Sequence, residues 1–165
     1  MLVCRFSNAQ QTPAVCPGGI PETANSDAFE VYENGEVLHI ASQLIFMRCS
    51  IGQTYINETC ENEPSALNWQ QALQESVKNE FNGSKNWRLP NVKELSAITE
   101  RACVRPSINE DIFPNTSPDD YWTSTTSVTH PQSAWAIGFS NASNAKRLKN
   151  RSLYARLVRT RLLSE

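Results

Sequence analysis

A proline at position 90, inside "NWRLPNVKELSAI" (86–98), constrains this chain more than any other local feature. Its ring keeps Leu89 out of the helical region, so Trp87, Arg88 and Leu89 must run extended. Alternation along an extended segment sends Trp87 and Leu89 to one side and Arg88 to the other. Immediately beyond, Asn91 can cap a helix with Glu94 three residues on, and Val92, Leu95, Ile98 and Ala102 form its apolar stripe. The stretch therefore reads as a corner that buries Trp87 and Leu89 and aims Arg88 elsewhere. A catalytic corner would need a nucleophile or base at hand, and only Lys93 and Glu94 are close in sequence. Arg88 is instead expected to pair with the acidic loop 109–111 or with "PDD" at 118–120.

The elements around the corner follow from periodicity and turn chemistry. "FEVYENGEVLHI" (29–40) places β-branched and aromatic residues on either side of Asn34-Gly35, which predicts a hairpin. "LIFMRCS" (44–50) reads as a buried strand. "NWQQALQESVKNEF" (68–81) is a helix with Asn68 and Gln71 as a capping box, a stripe of Trp69, Ala72, Leu73, Ser76, Val77 and Phe81, and Gly83 past its end. The proline-rich run 104–120 is a packed loop anchored by Ile108, Ile112 and Phe113. Strand-like segments follow at 121–128, 133–140 and 152–160, with polar turns at 129–132 and 141–151. The class is α+β, two helices packed on antiparallel sheet.

A length of 165 residues suits one domain over 1–165, with 1–15 as an amino-terminal extension. No apolar run approaches the ~20 residues of a membrane span, so the chain is not expected to be membrane-spanning. Nothing at the amino terminus resembles a signal peptide, and a mature or trimmed chain is expected. There are five cysteines, none in a C-x-x-C pair and none near His39 or His130, which argues against zinc. Cys49 and Cys60 bracket "SIGQTYINET", a length that suits a disulfide-closed loop and an oxidising compartment. One cysteine must stay unpaired, and spacing does not say which.

Charge is uneven. Residues 1–145 carry eight basic and sixteen acidic side chains, whereas 146–165 carry seven basic and one acidic. Such a basic end can attract an anionic partner, unless its cations pair with the body's own carboxylates. Lys146, Arg147, Lys149 and Arg151 fall in the expected polar turn, with Asn144 and Asn150 as neutral donors. Arg156 and Arg159 alternate onto opposite faces of the last strand and are assigned to internal pairing.

In order along the chain, "WRLPNVKEL", "PSINEDIFPNT", "YWTSTT", "AWAIGFS" and "YARLVR" resemble the successive motifs of one bacterial family, that named for the C-terminal domain of the Legionella collagen-like protein. Upstream, "IPET", "VYENGEVLH" and "FMRCSIGQTYINETC" are similar to its amino-terminal motifs, so the resemblance spans about 16–160. It implies a C-type-lectin-like fold with long irregular loops, export to the periplasm, outer surface or extracellular space, and binding rather than catalysis. For the best-known member it implies binding of sulfated polysaccharide. Family members often carry a cysteine late in the first helix and another in the final strand; here Ser76 and Leu157 stand there. That leaves Cys49–Cys60 as the best pair and Cys16 with Cys103 as a second, with Cys4 unassigned.

Other chemistries are poorly served. Calcium takes six to eight oxygens, and "PDD" offers two carboxylates with no Trp-Asn-Asp in the late strands. Formylglycine-generating enzymes have a related fold and a similar "WRLP" corner but use paired carboxyl-terminal cysteines, and none follows Cys103. Ser124 and His130 are near in sequence, but a histidine in a polar turn is ordinarily just solvated. The chain has no G-x-G and no nucleic-acid motif on its acidic body, so neither nucleotide nor nucleic acid is an expected partner. Tyr121, Trp122 and Trp135 could stack on sugar rings, and Trp122 and Trp135 are assigned to the core. The expectation is a non-enzymatic, cofactor-free recognition or adhesion module for anionic polysaccharide. The alternative is a structural or assembly domain of a bacterial surface appendage whose partner is a surface protein.

Overall fold

The residues flanking Asn34-Gly35 form the expected hairpin. In the computed structural model, which describes residues 13–162, β1 (Phe29–Val31) pairs antiparallel with β2 (Glu36–His39), and β2 with β3 (Leu44–Met47). The turn requires glycine, because Gly35 has φ +86° and a Cβ there would come within 2.8 Å of the Tyr55 ring. Alternation sends Val37, Leu44 and Phe46 to one apolar cluster and Leu38, Ile45 and Met47 to another. The run "LIFM" is apolar at every position because both faces of this sheet are covered.

Two disulfides are present. Cys49–Cys60 closes a segment that is more than the expected loop, since β4 (Thr54–Ile56) and β5 (Thr59–Glu61) pair within it. Asn57 and Glu58, both at positive φ, turn that hairpin. Cys16–Cys103 ties the amino-terminal segment to the loop after the second helix, beside a backbone bridge between Val15 and Val104. Cys4 and most of the expected extension 1–15 lie outside the described residues.

α1 (Trp69–Lys78) starts at the expected capping box: the Asn68 side chain accepts from the Gln71 N–H, and the Gln71 carbonyl oxygen accepts from the Asn68 N–H, each at 2.9 Å. It stops before Phe81, which leaves the helix to pack edge-on against Trp87 at 6.1 Å. Val77 drops out of the expected stripe and is 77% exposed, while Ala72 and Ser76 are buried. Gly83 belongs to a tight turn between Phe81 and Ser84 rather than to a helix cap. α2 (Val92–Ser96) keeps the Asn91–Glu94 capping box but is short; Ile98 and Ala102 are buried in the turns that follow.

β6 (Asp120–Thr126), β7 (Ser133–Gly138) and β8 (Ser143–Leu148) form a second antiparallel sheet in that order. β8 corrects the expected polar turn at 141–151: its polar sequence is that of an outer strand with an uncovered face, which hydrophobic patterning does not mark. The 152–160 segment is not one strand. Only β9 (Val158–Thr160) joins a sheet, beside β3. The residues before it pair in turn with Leu67, Tyr121, Trp122, Ile51 and Met47, threading between the sheets. Two helices and three antiparallel sheets make the fold α+β.

The proline-rich loop 104–120 is packed as expected, with Ile108, Ile112 and Phe113 buried. Two buried arginines hold it. Arg48 donates to the carbonyls of Ile112 (2.7 Å) and Asp111 (2.8 Å) and to the Tyr55 hydroxyl. Arg156, fully buried, donates to the carbonyls of Met47 and Arg48 and to Thr116 Oγ1, over the Phe113 ring. Burial pulls the Arg156 guanidinium down to about 10 despite support from Tyr121, and the charge of Arg48 adds to the effect.

Two outcomes are expected. Arg156→Met strands buried carbonyls and should lower stability by roughly 3 kcal/mol in urea denaturation; a change within error would remove Arg156 from its structural role. Peptide mapping without reductant should recover Cys49 linked to Cys60 and Cys16 linked to Cys103; either cysteine of a pair found as a free thiol in folded, oxidised protein would refute that pairing.

Candidate functional site

Because β8 is a strand, its charges separate by face. Asn144 and Lys146 are exposed, and register places Lys146 opposite Trp135. The Lys146 ammonium lies 5.3 Å from the Trp135 ring centroid and donates to Thr129 Oγ1 at 3.1 Å. Arg147 alternates to the other face, where its Nε donates to Asp120 at 2.5 Å. Gly138 leaves room for that pair, since a Cβ there would come within 2.9 Å of the Asp120 carboxylate. Lys149 lies over Trp69 at 4.2 Å, close enough for a cation–π contact. Its carbonyl also accepts the Trp69 N–H at 3.0 Å, which fixes the start of α1 against this end of the sheet. Asn150 and Arg151 are exposed in the turn, with Asp119 and Asp120 lining the cavity beside Arg151.

The six residues singled out in sequence are therefore not one loop-borne cluster. Arg147 is committed to an internal carboxylate, while Lys146, Lys149 and Arg151 have no carboxylate within ion-pair distance among the described residues. Trp69, read as a helix-stripe residue, is half-buried and receives Lys149 instead; its indole N–H donates to the Thr123 carbonyl at 2.8 Å. Nothing in the local pattern marks that contact, because its partners lie far apart in sequence. Trp122 is core as expected, fully buried with its indole N–H on the Leu67 carbonyl. Trp135 is only half-buried, because β8 leaves its face toward Lys146 uncovered.

Arg156 and Arg159 are both buried and internally held as expected, although only Arg159 lies on β9. Arg159 pairs with Glu36 at 2.9 Å, both buried, and this pair helps line a groove of about 740 Å³. The Asn82 amide donates to Glu36 as well, so the groove's buried carboxylate is held on both oxygens. Among the described residues, no group of three or more His, Cys, Asp or Glu side chains is arranged to hold a metal.

The sequence matches the model of the Lcl C-terminal domain family over residues 35–159. The chain belongs to that family. A comparison with curated proteins finds no match. The family match runs from β2 into β9 with both helices between, and so includes every residue singled out for ligand binding.

The corner residue Arg88 also departs from expectation. Its partner is neither acidic loop but Glu94, in a bidentate pair at 2.7 and 2.8 Å. The carboxylate that completes the α2 capping box also accepts the Asn91 N–H at 2.7 Å, which places it within reach of Arg88. Its hydrogen bond from Arg88 holds the Glu94 carboxyl below the usual range, against its own partial burial. Burial alone would raise Glu100, but N–H donors from Thr23, Ala102 and Ala24 outweigh it and hold that carboxyl low too.

Carboxyls held low in the fold add stability that is complete above the ordinary Glu value, about 4.3, and is lost as pH falls through the native values. The urea midpoint should therefore hold steady near neutrality and fall below about pH 4, and Glu100→Gln should shrink that fall. An unchanged acid limb in the variant would refute the assignment. Arg88→Ala should cost up to about 1 kcal/mol, given its partial exposure, without selective loss of ligand binding. A fully stable variant that no longer binds would instead put Arg88 in the site.

Proposed function

We propose that this chain is a non-enzymatic recognition module, exported to the periplasm, outer surface or extracellular space, that binds anionic, sulfated polysaccharide through the basic 146–151 segment. The observation that carries the reading is charge left over after folding. Lys146, Lys149 and Arg151 remain without carboxylate partners among the described residues, on a body whose residues 1–145 are net acidic. Lys146 and Lys149 each lie over a half-buried tryptophan, which keeps the cations at the surface and offers apolar ring edges beside them. Two disulfides suit an oxidising compartment. Among the described residues, no helix is long and apolar enough to cross a membrane. Two helices on antiparallel sheets, together with family membership, support a C-type-lectin-like fold spanning the chain as one domain.

A structural or assembly role with a protein partner has one observation of its own. β8 is the outer strand of its sheet, and the Lys149 N–H bonds inward to Gln132. Alternation then turns the N–H groups of Asn144, Lys146 and Leu148 outward, a template on which another strand can add.

Titration with dextran sulfate and with unsulfated dextran, at low and at physiological salt, tests the reading. Binding is expected for the sulfated polymer alone and should weaken steeply with salt, because exposed charges are screened within about 8 Å at physiological ionic strength. Charge reversal of Lys146, Lys149 and Arg151 together should lower affinity about tenfold or more, a loss of at least ~1.4 kcal/mol. A parent chain that binds neither polymer at low salt would transfer the case to the protein-partner reading.

A further inference from the structure

Beside the open edge of β8 lies a second basic feature that the carboxyl-terminal charge count does not include. α2 packs on the β6–β7 part of its sheet and leaves a shallow cleft of about 300 Å³ toward β8, lined by Val92, Lys93, Ser96, Ala97, Arg101 and Asn144. Its two cations have no carboxylate within ion-pair distance among the described residues, and no acidic side chain lines it.

The nearby carboxylates are consumed elsewhere. Glu94, on α2 itself, is held by Arg88 on both oxygens. Glu100, adjacent to Arg101 in sequence, is buried and accepts from the N–H groups of Thr23, Ala24 and Ala102. Lys93 and Arg101 are therefore left without an ion-pair partner among the described residues although 91–102 contains equal numbers of acidic and basic residues. The walls are fixed: the Val92 N–H donates to Thr125 Oγ1 at 3.0 Å, pinning α2 to β6, and Arg101 donates to Ser96 Oγ at 3.2 Å.

We infer that this cleft seats a sulfate or carboxylate group of the bound polysaccharide, with Lys93, Arg101 and Asn144 as donors and Lys146 continuing the track along β8. The inference rests on the polysaccharide reading above and moves the centre of the site away from the 149–151 turn. Asn144 and Lys146 are two residues apart on one exposed face of β8, so the cleft and the lysine form a continuous cationic strip. The cavity beside Arg151 is less basic than the cleft, because Asp119 lines it together with Asp120, whose charge Arg147 offsets. Complementarity of this kind sets orientation and register of the polymer as much as affinity.

The deciding experiment compares Lys93→Glu/Arg101→Glu with Lys149→Glu/Arg151→Glu in dextran sulfate titrations of the full chain, with thermal unfolding as a check on folding. The cleft variant should lose about tenfold or more in affinity and much of the salt sensitivity, and the turn variant less than about threefold. Lys93→Arg/Arg101→Lys should retain binding, because the charge is kept. If the turn variant loses binding while the cleft variant binds like the parent, the cleft assignment falls and the polysaccharide reading stands. If the parent chain binds no dextran sulfate at low salt, both fall together.

Discussion

Arg156 is a buried cation whose partners are main-chain carbonyls, a threonine hydroxyl and Tyr121, with no carboxylate within ion-pair distance among the described residues. Taking such an ion out of water costs several kcal/mol, which the acceptors around its two terminal nitrogens offset. The acceptors come from the end of β3 and from the loop 104–120, and the ring beneath it is Phe113 of that same loop. Arg48 adds a second guanidinium, anchored to Asp111 and Ile112. An irregular, proline-punctuated stretch thus acquires one conformation without regular secondary structure. Its carbonyls at 111 and 112 hold Arg48, and its Thr116 hydroxyl and Phe113 ring hold Arg156.

Much of the architecture was legible because its determinants are local. Both capping boxes could be read from residues three apart, and the direction of Trp87, Arg88 and Leu89 followed from Pro90. The apolar anchors of the long loop stood out against their polar neighbours. What was not legible depends on contacts between distant residues. β8 carries no apolar alternation because one of its faces is exposed and the other only half-covered, so only pairing with β7 makes it a strand. Arg88 was assigned to distant acidic loops although Glu94 was nearby, because a capping carboxylate was credited with one task and performs two. Val77 followed helical spacing yet faces outward, as α1 buries only a narrow side built on Ala72 and Ser76.

The same contrast governs the candidate site. Counting charges along the sequence located the basic segment but could not say which cations survive folding as free charge. Register decided that by sending Arg147 to Asp120 and leaving Lys146 outside. Lys93 and Arg101 do not stand out in the sequence as a ligand-binding pair, because acidic residues adjoin them. Those acids turn out to serve a capping box, an arginine and a set of backbone donors. Net charge over a window is a poor guide wherever carboxylates are spent on the main chain.

The threading of the 152–160 segment has a consequence for how the chain reaches its native state. β3 acquires its outer neighbour only from β9, and Glu36 meets Arg159 across 123 positions of sequence. Until those last residues arrive, the first sheet keeps a bare edge, Glu36 lacks its counter-charge and the carbonyls awaiting Arg156 are unfilled. Contacts of such long sequence separation slow folding and make it cooperative. Completion of the first sheet is therefore tied to β9, and the amino-terminal two-thirds lacks on its own the partners that close that sheet.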